Sequence, residues 1–107
     1  MKKAKAKVMR KTRTIRLSRA RIQQDLGNGF LRSVFPSRTI EPGEFLTINL
    51  TPAPGRVVVN AGWTISGLNE AYATDSFPSS TTNWVLILHN PTATQRTVIP
   101  FLISKTN

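Results

Sequence analysis

The sequence predicts an all-β protein: a small antiparallel β-sandwich, jelly-roll-like or barrel-like, preceded by an extended basic N-terminal arm. Three observations lead there. From Glu44 onward apolar residues recur with period two in runs rich in Val, Ile, Thr and aromatics, as half-buried strands require. Pro and Gly clusters interrupt these runs at short intervals, with no helix-period segment between them. Charge is also divided unevenly. Residues 1–38 hold twelve Lys or Arg against one acid, Asp25, whereas residues 39–107 hold Arg56, Arg96 and Lys105 against Glu41, Glu44, Glu70 and Asp75. The 107-residue chain, of net charge +10, therefore reads as a cationic arm and linker over 1–38 joined to a nearly neutral β domain over 39–107.

The arm opens "MKKAKAKVMRKTRTIRLSRAR", with ten basic residues and no acid. Arg10, Arg13, Arg16 and Arg19 would line one face of a helix, but Thr12, Thr14, Ile15 and Ser18 are indifferent helix formers and suit an extended chain equally. Such composition predicts disorder until a partner is met. Gly27, Asn28 and Gly29 then break any helix, and Pro36 and Pro42 keep the bridge to the body extended or turning.

Five strands follow. In "EFLTINL", Leu46, Ile48 and Leu50 share one face; "TPAPG" turns the chain because two prolines and a glycine cannot continue a ladder. "RVVVNAGWTISG" reads as a second strand, bent at Ala61-Gly62 and closed by Gly67. "AYATDSF" is a short third strand halted by Pro78, and "NWVLILHN" a strongly apolar fourth halted by Asn90-Pro91. "RTVIPFLIS" is the last, and Pro100 within it predicts an edge position or a bulge. Leu46, Ile48, Val58, Trp84, Leu86, Leu88 and Ile99 are the expected core. So small a body, without cysteine and with no evident metal site, calls for oligomerisation or pairing with a neighbour.

The body from Pro42 to Ser104 resembles a small β-sandwich module found in phage structural proteins and bacterial secreted proteins. The resemblance rests on Pro54-Gly55, Gly62-Trp63, Ser66-Gly67, Ser76 to Pro78, and Trp84 through Asn90. It implies the sandwich fold and extends to none of the arm. Such modules often carry cysteines where this chain has Thr51 and Ser104. Their joint loss suits folding in a reducing cytoplasm, as for a virion component assembled in a host cell, better than secretion.

Chemistry is sparse. Without cysteine there is no thiol chemistry or Cys-based zinc site, and no apolar run reaches the length of a membrane span. The basic N-terminus lacks the apolar core of a secretory signal, although an Arg-rich, acid-poor segment also fits a mitochondrial transit peptide. His89, at a strand end, reads as an ordinary surface or capping residue; Asp75 and Ser76 read as a turn; Glu41 and Glu44 read as solvated acids flanking Pro42-Gly43. No catalytic, metal or cofactor residue is assigned and no enzyme is expected. Trp63, Trp84 and Tyr72 permit a carbohydrate-binding reading, but both indoles sit beside apolar strand positions where core packing is the commoner use.

The candidate site is therefore the arm: Lys2, Lys3, Lys5, Lys7, Arg10, Lys11, Arg13, Ile15, Arg16, Leu17, Arg19, Arg21 and Ile22. Aliphatic residues interleaved with Arg after Lys11 suit a strap, Ile15, Leu17, Ile22 and Leu26 inserting between subunits while the cations meet acidic or polar grooves. Fully extended, the arm would reach on the order of 130 Å at about 3.4 Å per residue, enough to cross a subunit boundary. The more uniform "KKAKAK" is the better grip on nucleic acid. The leading expectation is a non-enzymatic virion protein of a bacterial virus, a capsid decoration, cement or minor structural protein, oligomeric and docked on other capsid proteins through the arm. The alternative is a nucleic-acid-binding protein, ribosome-associated or genome-packaging, that uses the arm on RNA or DNA.

Overall fold

The computed structural model describes residues 11–66 and 71–107. These form nine strands: β1 Lys11–Leu17, β2 Ile22–Gly27, β3 Phe30–Val34, β4 Arg38–Ile40, β5 Glu44–Leu50, β6 Arg56–Ile65, β7 Tyr72–Ser80, β8 Asn83–His89 and β9 Arg96–Thr106. They make two sheets. One has the order β1-β5-β8-β7; in the other β9 is central, with β6 on one side and both β3 and β4 on the opposite side, β2 pairing outside β3. No helix occurs among the described residues. The all-β class and the two-layer architecture predicted from periodicity are those observed.

The core lies between the sheets. Leu46, Ile48 and Leu50 of β5 alternate inward with Leu86 and Leu88 of β8, and all five are fully buried. Val98 and Leu102 of β9 close the core from the other sheet, with Ala61, Phe35 and Ile40. Of the expected core, Val58 and Trp84 are half-buried against this cluster. Ile99 is a correction: it is 37% exposed. Because β9 places 98, 100, 102 and 104 inward, the odd positions must face out.

The larger correction concerns the arm. Residues 11–38 are built into the sandwich as β1, β2, β3 and the first residue of β4, so the expected boundary at 38/39 does not divide a free arm from a body. Leu17 (4% exposed) and Phe35 (1%) from this region are core residues. Nor is the sandwich wholly antiparallel. β1 pairs parallel with β5, Lys11 opposite Glu44 through Leu17 opposite Leu50. The chain leaves β1, traverses β2 to β4 in the other sheet and returns beside its own start, and so long a crossover is what a parallel pair needs. The Gly27-Asn28-Gly29 segment does more than end a helix. All three residues have positive φ (87°, 57° and 86°) and they turn β2 into β3, with Gly27 N–H donating to Asp25 Oδ1 at 2.8 Å.

Two prolines sit inside strands. β7 continues past Pro78 to Ser80, contrary to the expected stop; it is an edge strand, and its register shifts between Pro78 and Ser80. Pro100 lies in the central strand β9, although the sequence suggested an edge or bulge. Its carbonyl accepts from Phe35 N–H at 3.0 Å, so its missing donor faces the same side, where Phe35, Pro36 and Ser37 interrupt pairing between β3 and β4. The ladder is broken where proline would break it.

One end of the sandwich is clasped by polar side chains. Asn90, fully buried, donates from Nδ2 to the Ile40 and Thr94 carbonyls (both 2.9 Å) and accepts at Oδ1 from Thr92 N–H and Oγ1. This satisfies the buried amide and ties β8 to β4 in the opposite sheet.

Candidate cationic interface

Strand alternation sorts the arm's residues by role. Arg13, Ile15 and Leu17 stand opposite Leu46, Ile48 and Leu50 and share their inward face, while Thr12, Thr14 and Arg16 face out. Ile15 and Leu17, expected to insert between subunits, therefore pack on the protein's own core. Arg13 is compensated: its guanidinium pairs with Glu44 and donates to the Thr39 carbonyl at 2.6 Å, so Glu44 is a buried ion-pair partner and not a solvated acid. Ile22 is 49% exposed on the outer face of the β9 sheet, and Leu26 47% exposed at the β2 turn. Lys2, Lys3, Lys5, Lys7 and Arg10 lie outside the described residues.

Lys11, Arg16, Arg19 and Arg21 are left exposed. Leu17 and Ala20, both against the core, anchor the β1–β2 connection, so Arg19 and Arg21 between and beyond them project outward. Across from this connection runs the β3–β4 break, anchored by Phe35 and Ile40, with Pro36 and Arg38 exposed. Together they enclose a cleft of about 260 Å³ lined by Arg16, Leu17, Ser18, Arg19, Pro36 and Arg38. No acid lines it. Arg16 donates to Thr51 Oγ1 at 3.0 Å, which holds that guanidinium at the rim. Arg38 was not among the residues singled out from sequence. It lies far along the chain from Arg16 and Arg19, and only the closure of β4 beside β9 brings it to them.

Other cations are compensated differently. Arg56 donates to Ser104 Oγ (2.9 Å) and to the Gly29 carbonyl (2.7 Å), beside a second concavity of about 290 Å³ that also contains Asp25. Arg32 lies over the Phe101 ring at 5.4 Å, and Lys105 over Phe30 at 6.0 Å.

Both outer sheet faces carry apolar side chains. On the β1-β5-β8-β7 sheet, Phe45 stacks on His89 (centroids 3.8 Å apart) and Tyr72 meets the same imidazole edge-on at 5.6 Å. His89 Nδ1 lies 3.2 Å from the Glu44 carbonyl, so the histidine serves this surface stack. On the other sheet, Ile22, Val34 and Phe101 are cross-strand neighbours on β2, β3 and β9, and Ile99 continues the stripe. Among the described residues no group of three or more His, Asp and Glu side chains comes together. Trp84 faces inward, its Nε1–H donating to Ser76 Oγ at 2.9 Å.

Fold and surface thus define a two-sheet β domain with a cationic cleft and an apolar stripe on the outer face of the β9 sheet. The family model for YjdH matches residues 11–104, and the chain belongs to that family. The match begins at the first residue of β1 and takes in β1 to β4. No curated protein and no solved structure matches the chain significantly.

Proposed function

We propose that the protein is a non-enzymatic structural subunit of a larger protein assembly, a virion component of a bacterial virus that decorates or cements the capsid. One observation carries this reading: the apolar stripe of Ile22 (49% exposed), Val34, Phe101 and Ile99 (37% exposed) across β2, β3 and β9. Isolated exposed aliphatics are ordinary, but a row spanning three strands is surface suited to burial against a protein neighbour. The cations flanking it at Arg32 and Lys105 suit a rim. The resemblance of the body to a module of phage structural proteins supplies the setting.

The test is sedimentation of a native-source lysate on a density gradient. The wild-type protein is expected in the particle fractions, and the Ile22→Asp, Ile99→Asp double variant in the soluble ones. Wild-type protein that stays at the top, or travels with ribosomes, would sink the reading.

A further inference from the structure

We propose that the cleft between the β1–β2 connection and the β3–β4 break binds the phosphate groups of a nucleic-acid strand. This goes beyond the assembly reading, which concerns the apolar stripe.

The first ground is uncompensated charge. Three arginines, Arg16, Arg19 and Arg38, line one cleft with no carboxylate, and the Arg13–Glu44 ion pair lies outside that lining. Like charges gathered at a concave site repel one another unless an anion neutralises them, and a cleft lined by one sign concentrates the field. The second ground is construction. Buried Leu17 and Phe35 fix the two walls, Pro36 stiffens one of them, and Thr51 holds the head of Arg16. The site thus exists before its ligand arrives, and guanidinium forks are the side chains that engage phosphate oxygens bidentately. Ser18 adds a hydroxyl on the same lining.

The third ground selects a strand over a single ion. β1 runs from this cleft about 20 Å, at about 3.3 Å per residue, to Lys11, presenting the outward hydroxyls of Thr12 and Thr14 along its free edge. The five cations Lys2, Lys3, Lys5, Lys7 and Arg10 then precede Lys11 in sequence, with no acid among them. One phosphate has no use for that series, whereas a polyanion does. No aromatic residue lines the cleft, so bases have no platform there and recognition goes to the backbone without regard to sequence.

The experiment uses the full chain and fluorescence anisotropy of a mixed-sequence single-stranded oligonucleotide across a salt series. The Arg19→Gln, Arg38→Gln double variant changes only exposed side chains, and Lys105→Gln, at the far end of β9 from Val98, the register partner of Arg38, is the charge control. The double variant is expected to bind about tenfold more weakly, with a salt slope lower by about 1.4, at about 0.7 per lost phosphate contact; Lys105→Gln should change affinity less than about twofold. Equal losses in double variant and control would show diffuse attraction and overturn the site. Absence of oligonucleotide binding would overturn it too. So would Arg19- and Arg38-dependent binding to inorganic phosphate, phosphatidylglycerol vesicles or polyglutamate as tight as to the oligonucleotide. None of these outcomes bears on the Ile22 and Ile99 gradient test, so the two proposals fail separately.

Discussion

Arg13 grips both carboxylate oxygens of Glu44 across the parallel β1–β5 pair, Nε to Oε2 and Nη2 to Oε1 each at 3.0 Å. The same Oε1 accepts from Glu41 N–H at 3.0 Å, and Arg13 also donates to the carbonyl of Thr39, the middle residue of β4. One ion pair therefore joins the edge strand to its neighbour and to the opposite sheet. The carboxylate side is buried (8% exposed) and the guanidinium half-exposed (42%), so solvent screens only part of the interaction.

Arg13→Ala is accordingly expected to destabilise the fold by about 1–3 kcal/mol, because it leaves a buried carboxylate short of its charged partner. Urea denaturation checks this: the midpoint should fall with the slope unchanged. A midpoint within error of wild type would place the pair among surface bridges of no consequence.

Deleting residues 1–38 is expected to abolish folding. The deletion removes β1, β2 and β3, takes Leu17 and Phe35 from the core, and uncovers the edges of β5 and β9. Circular dichroism and amide chemical-shift dispersion of the 39–107 fragment provide the measurement. A cooperatively melting β domain would show that the crossover strands are dispensable.

Gly62 faces Phe101 in register, and a Cβ placed there would collide with the ring's Cζ. The ring occupies the space that glycine leaves, so Gly62→Ala should drive it off the sheet at a cost of about 1–3 kcal/mol. In a Phe101→Ala background the same substitution should cost far less. A double-mutant cycle with no coupling between the two positions would contradict this contact.

Leu17→Ala and Ile22→Ser separate core from surface within one stretch. Leu17→Ala is expected to cost about 2–4 kcal/mol in thermal or urea unfolding, as for a buried leucine. Ile22→Ser should stay within about 0.5 kcal/mol of wild type while weakening self-association in sedimentation velocity. Leu17→Ala that leaves unfolding unchanged while weakening self-association would restore the view of this segment as a strap.

Much of the sandwich is legible in the linear chain because β5 alternates apolar residues with polar ones, which assigns Leu46 and Ile48 an inward face, and because β6, β8 and β9 are runs rich in Val, Ile and Leu bounded by turn residues. In the continuous apolar run of β8 the sequence marks a buried strand, and the pairing with β5 decides that Leu86 and Leu88 face in. β1 and β2 escape such reading. Cations interrupt both faces of β1, Arg16 outward and Arg13 inward where Glu44 pairs with it, and so mask the short inward series of Ile15 and Leu17, while β2 is exposed along its whole length. Local composition then suggests a disordered arm, and the Gly27-Asn28-Gly29 turn is taken for a helix breaker when it marks a hairpin.

The all-β class, the position of the four main core strands and the concentration of positive charge before Thr39 are all written in the linear chain. Which of those charges remain available depends on how the strands pair. Parallel docking of β1 on β5 consumes Arg13 in a pair with Glu44, and closure of β4 against β9 carries Arg38 to Arg16 and Arg19. The physical reason is that alternation depends on neighbours two residues apart, whereas pairing between strands far apart in the chain depends on the burial of the whole core, which no local window contains.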